Sequence, residues 1–243
     1  MRESSVALGF GLAHDAKHPQ THCDRNTMRA KTDSQQHATL PASSAYSRQQ
    51  VLDWLENSVP PKRLHHILQV EKFSTELAQH HGLDPARAAQ AGLMHDLAKC
   101  FKPKRLLSLA AEHGVAIDAV FAANPHLLHA DVGAIVAQTE FGIQDADVLA
   151  AIRNHTLGDV NMSQLSCVVF LADTLEPGRG DTPDLHRLRE LCWQDLHHAV
   201  WHTSDYTLRY LLEAKQLIHP RAILTRNWAM QRATGKPIPP VTP

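Results

Sequence analysis

An adjacent histidine–aspartate pair, His95–Asp96, lies inside an apolar stretch, and this placement constrains the fold more than any other feature of the sequence. Residues 91–100 read AGLMHDLAKC, in which small and apolar residues flank the pair on both sides. Burying a carboxylate beside an imidazole costs free energy unless hydrogen bonds, an opposite charge or a metal ion compensate for the lost hydration. The chain must therefore fold so that a compensating group meets Asp96.

Helical patterns fill the chain between residues 46 and 232, and strand patterns are almost absent. Glycines such as Gly82 and Gly142 follow periodic apolar segments, as expected at helix C-termini. Asp84–Pro85 and Thr182–Pro183 each combine an N-cap residue with a first-turn proline. The sequence therefore predicts an all-α bundle, including one helix that carries His95, Asp96 and Lys99.

The two ends of the chain lack such patterns. Residues 1–45 are polar apart from one short apolar run, and residues 233–243 are rich in proline. Segments of this kind bury too little apolar surface to compensate for their ordering entropy. We therefore predict a disordered N-terminal extension over 1–45, one domain over 46–232 and a flexible tail over 233–243. The second His–Asp pair, His14–Asp15, lies in the extension and is discounted.

Composition excludes several classes of partner. The net charge is −1, with 43% hydrophobic and 20% charged residues, so no basic surface for nucleic acid or an anionic membrane is expected. No stretch approaches the roughly 20 apolar residues of a membrane span. The four cysteines show no paired spacing, which is typical of reduced thiols. We expect a cytoplasmic protein without nucleic-acid or membrane partners, and the sequence leaves its oligomeric state open, a dimer included.

Helical periodicity sorts the 18 histidines into core and surface candidates. In RLHHILQVEKFSTELA, His66 shares one face with Val70, Phe73 and Leu77, since helical positions advance by about 100° per residue. His65 lies about 100° away from that face. The pattern predicts that His66 faces the core and His65 does not, although a buried histidine is ordinarily satisfied by a backbone carbonyl.

Three further polar residues share this apolar placement. His129 lies in NPHLLHADVGA, His155 ends the helix predicted over DADVLAAIRNHT, and Asp173 lies in CVVFLADTLEP. Imidazoles and carboxylates that converge in a helical core are what a divalent metal ion requires, because the cation compensates for the buried charge. The sequence therefore predicts a metal site in the core that includes Asp96.

The ordered set of these motifs resembles a known family. RLHHILQV, AGLMHDLAK, NPHLLHADVGA, RNHTLG, ADTLEPGR and, more loosely, ILTRNWAM follow one another over about residues 48–230. The set resembles the HD-domain metal-dependent phosphohydrolases, and in detail their YqeK-type branch, the symmetrical bis(5′-nucleosyl)-tetraphosphatases. The resemblance implies an HD-domain helical fold and hydrolysis of diadenosine tetraphosphate, a small nucleotide substrate, at its central anhydride to give two ADP.

The resemblance also assigns roles to individual positions. It implies that one divalent ion is held by four side chains: His66, His95, Asp96 and Asp173. Iron is the expected metal, with manganese, cobalt or magnesium as alternatives. His129 and His155 match positions that contact substrate phosphates or hold a second metal ion. Substrate-binding positions near the phosphates are Lys99, Thr156 and Arg179, in addition to the two histidines. The expected catalytic residues are Asp96, Lys99, His129 and His155.

Other interpretations keep the same site. An HD-domain nucleotide phosphatase or phosphodiesterase would act on another substrate, because one fold supports many reactions. A non-catalytic nucleotide-binding sensor is a further alternative, although the complete ligand set argues against it. Asp131, two residues after His129, departs from the family pattern and would disfavour a polyanion if it faced the site.

Overall fold

The computed structural model describes residues 46–235, which form eleven α-helices and two 3-10 helices without a strand. The helices are α1 (Arg48–Ser58), α2 (Pro61–His80), α3 (Pro85–Met94), α4 (Pro103–Glu112), α5 (Ala119–Ala123), α6 (His129–Phe141), α7 (Ala146–Asn154), α8 (Gln164–Leu175), α9 (Pro183–Gln194), α10 (Leu196–Glu213) and α11 (Pro220–Thr234). The 3-10 helices are Pro125–Leu128 and Pro177–Arg179. The predicted all-α fold is confirmed. The extension over 1–45, with His14–Asp15, and residues 236–243 lie outside the described residues.

The helix ends follow the capping signals of the sequence. The Asp84 side chain accepts hydrogen bonds from the backbone N–H groups at the start of α3, and Thr182 does the same for α9. Proline occupies the first position of both helices, where no intrahelical donor is needed. Gly142 ends α6 with a φ of 67°, in the left-handed region that glycine adopts without steric cost.

The core lies where α2, α3, α7 and α8 pack together. On α2, His66 is 8% exposed, whereas Val70 and Leu77 are fully buried. His65 is exposed, so the predicted orientation of this helix is confirmed. The apolar stripe of α2 therefore carries one imidazole into the core.

Glycine allows α2 and α3 to approach closely. A Cβ atom added at Gly92 would lie 2.9 Å from Glu71 Cα and 3.1 Å from Ser74 Oγ. The first of these atoms belongs to the backbone of α2, which cannot rotate away. This close packing fixes the distance between His66 on α2 and His95 at the end of α3.

The helix that carries His95 ends earlier than the sequence predicts. α3 stops at Met94, and residues 95–100 form successive turns in which Leu97 and Lys99 donate to the carbonyls three residues earlier. The expectation that Lys99 follows His95 on the same helix is therefore wrong. The reason is local. The His95 side chain donates to the carbonyl oxygen of Gly92, which in a continuing helix would accept from the backbone N–H four residues later.

Two further boundaries differ slightly from the prediction. The periodic segment that precedes Gly142 is divided into a 3-10 helix and α6, and α11 continues to Thr234, two residues beyond the predicted domain end. Within residues 46–235, no helix is long and apolar enough to cross a membrane.

The close approach at Gly92 gives a test of the packing. We expect Gly92→Ala to lower the free energy of unfolding by about 1–3 kcal/mol, because the added methyl group would press against the α2 backbone. Thermal unfolding followed by circular dichroism measures this change. The sign is informative, since alanine would raise helix stability by about 1 kcal/mol if space were available. An unchanged or higher melting temperature would therefore contradict the packing.

Candidate metal centre

Three of the candidate histidines lie at helix ends, where backbone carbonyls lack helical partners. His95 follows α3, His155 follows α7, and His129 joins a 3-10 helix to α6. Each Nδ1 atom lies within hydrogen-bonding distance of the carbonyl oxygen three residues earlier: 2.7 Å for His95 to Gly92, 2.6 Å for His129 to His126 and 2.7 Å for His155 to Ile152. A carbonyl only accepts, so each Nδ1 carries the hydrogen. In the neutral ring, each Nε2 then keeps its lone pair.

His66 receives its orientation from a carboxylate. Its Nδ1 atom lies 3.0 Å from Oε1 of Glu176, and its Nε2 atom lies 3.0 Å from Oδ1 of Asp173. Glu176 is only 2% exposed. A carboxylate that accepts from one imidazole nitrogen fixes the tautomer and raises the basicity of the other, as in many metal-binding histidines. Glu176 was not among the predicted site residues, although it stands three residues after Asp173 in ADTLEP.

Asp96 occupies the centre of the cluster and is 1% exposed. Its Oδ2 atom lies 3.5 Å from His95 Nε2 and 3.2 Å from Arg63 Nη1. Its Oδ1 atom lies 3.4 Å from His129 Nε2 and 3.7 Å from His155 Nε2. One oxygen of this carboxylate thus faces an imidazole and a guanidinium, and the other faces two imidazoles. Arg63, which lies one helical turn before His66, was also not among the site residues predicted from the sequence.

The predicted ligands separate into two overlapping groups around His95. Two sets of residues have ligand atoms that all lie within 4.8 Å of one another: His66, His95 and Asp173, and His95, Asp96 and His155. The structure therefore groups His66 with His95 and Asp173, and it groups Asp96 with His95 and His155. His129 completes the cluster, since its Nε2 atom lies 3.1 Å from that of His155.

The arrangement of these atoms fits a cation. His95 Nε2 is buried and has no hydrogen-bond partner among the described residues. The Nε2 atoms of His129 and His155 face each other at 3.1 Å, and their lone pairs repel unless a proton or a metal ion lies nearby. Imidazole and carboxylate donors together suit iron and other first-row divalent metals. The residues present therefore fit a divalent metal ion.

Arg179 contacts the same donors. Its Nη2 atom donates to Asp173 Oδ1 at 2.6 Å and lies 3.1 Å from His66 Nε2, while its Nε donates to the backbone oxygen of Asp173 at 2.7 Å. The guanidinium thus places positive charge between an imidazole and a carboxylate. Arg179 therefore contacts two of the predicted metal ligands, and its phosphate-binding role stays a prediction.

Lys99 and Thr156 lie together beside His129. Lys99 Nζ and Thr156 Oγ1 are each 3.2 Å from His129 Nε2. Burial lowers the pKa of the Lys99 ammonium, although the Asp96 carboxylate opposes this effect. The turn that follows α3 therefore brings Lys99 into the site even though the residue is not on the helix.

The electrostatic environment favours the metal-binding forms of His129, His155 and Asp96, whereas it favours the protonated form of His95. Burial lowers the pKa of His129, and the positive charge of Lys99 adds to this effect. Burial holds the pKa of His155 well below its usual range, with a contribution from the neighbouring His95. Burial alone would raise the pKa of Asp96, but His95 and Lys99 outweigh it and hold the pKa well below the usual range. Burial likewise opposes protonation of His95, but Asp96 outweighs it and raises that pKa. Neutral imidazoles and an ionised carboxylate are the required ligands.

Asp131 does not place an uncompensated charge in the site. Its two carboxylate oxygens lie 3.1 and 3.3 Å from Arg221 Nη1 on α11. Arg221 also donates through Nε to the backbone oxygen of Gly158 at 2.9 Å. The pair anchors α11 to the turn after α7, and the departure from the family pattern has a structural partner.

Comparison with known proteins agrees with this geometry. Residues 63–178 match the family described as HD domain. A crystal structure from Clostridium acetobutylicum, described as a predicted HD superfamily hydrolase involved in NAD metabolism, has a TM-score of 0.74 and 32% sequence identity. That match covers 77% of this chain and 98% of the Clostridium chain. Fold and site together define a hydrolase of the HD class.

Two curated relatives narrow the class further. The symmetrical bis(5′-nucleosyl)-tetraphosphatase of Bacillus subtilis is 34% identical over 75% of this chain and 97% of its own length. The protein of the same name from Halalkalibacterium halodurans is 34% identical over 74% of this chain and 96% of its own. The chain belongs to the symmetrical bis(5′-nucleosyl)-tetraphosphatase family of HD-domain proteins, and the resemblance noted from its motifs is confirmed.

The contact between Glu176 and His66 can be tested separately from the ligands themselves. We expect Glu176→Gln to weaken binding of a divalent metal by about 10- to 100-fold, because the amide no longer fixes the His66 tautomer as a carboxylate does. Metal titration of the stripped protein measures the affinity. The exposed Glu190→Gln variant on α9 is the matched control and should bind as the wild type does. Equal affinities for all three proteins would show that Glu176 does not orient His66.

Proposed function

We propose that this protein hydrolyses diadenosine tetraphosphate at its central anhydride to give two ADP, with a divalent metal ion in the core site. The observation that carries the proposal is the convergence of four imidazole Nε2 atoms on Asp96 and Asp173. The two relatives that match this chain over nearly their whole length are named for that activity. The family and the site therefore support the same reaction.

The proposed ligands of the main ion are His66, His95, Asp96 and Asp173. His129 and His155 are proposed either to hold a second ion, which Asp96 would bridge, or to contact phosphate. A bound divalent ion would lower the pKa of a water molecule and polarise a phosphoryl oxygen. Iron is the metal we propose, because the family resemblance implies it and imidazole ligands suit iron among the first-row divalent metals. Manganese and cobalt suit the same donors, whereas magnesium prefers oxygen ligands.

The remaining side chains act on the phosphates. A polyphosphate resists attack because its oxygens carry negative charge, so fixed positive charge near the scissile bond lowers the barrier. Lys99 lies beside His129, and Arg63 lies beside Asp96 at the partly exposed edge of the cluster. Together with Arg179, these residues are placed to neutralise charge on the anhydride, and Thr156 offers a hydroxyl to a phosphate oxygen.

We also propose that the protein is cytoplasmic. Among the described residues, Cys100, Cys167 and Cys192 form no disulfide bond, and burial raises the pKa of both Cys167 and Cys192 to about 12. Such thiols are unreactive, as structural cysteines of reducing compartments are. A nucleotide substrate is consistent with this location.

The position of bond cleavage tests the reaction. We expect diadenosine tetraphosphate to give only ADP, and hydrolysis in oxygen-18 water to place one heavy oxygen on the β-phosphate of half of the ADP molecules. Chromatography with mass spectrometry measures both outcomes. NAD, mononucleotides and cyclic nucleotides in the same assay represent the alternative HD-domain activities. Formation of ATP and AMP would contradict the assignment, and binding without turnover of any substrate would favour a sensor.

Lys99 gives a second test of the mechanism. We expect Lys99→Ala to reduce kcat by about 100-fold or more while metal content stays unchanged, because the ammonium acts on phosphate charge and not on the ion. Lys104→Ala, at an exposed position on α4, is the control. A Lys99→Ala protein that lost its metal together with its activity would instead place Lys99 among the residues that maintain the metal site.

A further inference from the structure

A cleft extends from the metal centre between α8, α10 and α11. At its inner end it is lined by Lys99, His155, Thr156 and Asp173, which belong to the site already described. The cleft is therefore continuous with the proposed position of the phosphates.

The outer part of the cleft has a different chemical character. Phe170 lies one helical turn before Asp173 and Thr174 on α8, so the same face of this helix borders both parts. Leu157 and Leu208 add apolar surface from the turn after α7 and from α10. An aromatic ring and two aliphatic side chains beside a phosphate site match the requirements of a nucleoside, which has flat apolar faces and a polar edge.

A buried hydroxyl in this wall lacks a hydrogen-bond partner. Ser204 on α10 lines the cleft, is only 5% exposed, and its Oγ has no partner among the described residues. A serine within a helix can satisfy its hydroxyl on a preceding backbone carbonyl, but Ser204 does not. Leaving such a group unpaired costs free energy, and a bound ligand would recover it.

We propose that the outer cleft binds one nucleoside of the substrate and that Ser204 Oγ is its buried hydrogen-bond partner. The inference rests on the proposed function, because it needs a nucleotide whose phosphates lie at the metal centre. Phe170, Leu157 and Leu208 then contact the nucleoside, and the ADP unit that contains it is the half held during hydrolysis. This assignment identifies a specificity site separate from the metal ligands.

Binding of ADP and of pyrophosphate to the metal-loaded protein, measured by calorimetry, separates the two parts of the cleft. We expect ADP to bind more tightly than pyrophosphate. Ser204→Ala should weaken ADP binding by about threefold to tenfold, the effect of one buried hydrogen bond, without changing pyrophosphate binding. Thr203→Val is the matched control. The Oγ1 atom of Thr203 is also buried and has no hydrogen-bond partner among the described residues, but Thr203 does not line the cleft. The Thr203→Val protein should therefore bind ADP as the wild type does.

A second variant tests the cleft without removing a hydroxyl. Ala222 on α11 also lines it, and Ala222→Leu should weaken ADP binding by about tenfold or more by filling space, again with pyrophosphate unaffected. Equal affinity of the wild type for ADP and pyrophosphate, or unchanged ADP affinity in both variants, would overturn the inference. Failure to cleave diadenosine tetraphosphate, with these differences in ADP binding intact, would overturn the proposed function alone.

Discussion

The hydrogen bonds from histidine Nδ1 atoms to their acceptors determine the rest of the site. In His95, His129 and His155 the acceptor is the carbonyl three residues earlier, and in His66 it is the Glu176 carboxylate. Each bond satisfies a polar group, fixes the ring orientation and leaves Nε2 directed at a carboxylate. A helix end needs a partner for its last carbonyls, and here the imidazole of a candidate metal ligand provides one. Secondary structure and ligand orientation are therefore coupled.

This arrangement explains how Asp96 can lie among apolar residues. A buried carboxylate without compensation would cost several kcal/mol. Here Arg63 contacts one oxygen, and imidazoles surround both. The same concentration of positive charge that stabilises Asp96 also suits a polyphosphate substrate. Structure and proposed function therefore depend on the same balance of charges.

Local signals in the sequence were sufficient to predict the fold and much of the site. Apolar periodicity distinguished His66 from His65, because only one face of α2 meets the core. The pairing of His66 with Glu176, 110 residues apart, depends on helix packing and has no local signal. The early end of α3 was missed because Leu97 and Ala98 continue the apolar pattern of the helix. The hydrogen bond from the His95 side chain to the Gly92 carbonyl leaves no signal in that pattern. Which ligands share an ion remains a prediction.

The central claim, that this cluster binds a divalent metal ion, is tested most directly by metal content and by its effect on stability. Protein purified without chelator should contain at least one divalent ion per chain by elemental mass spectrometry, and chelator should lower its melting temperature, because binding to the folded state stabilises it. Asp96→Ala should lose the metal and this sensitivity to chelator. An Asp96→Ala protein with full metal occupancy and full turnover would contradict the account.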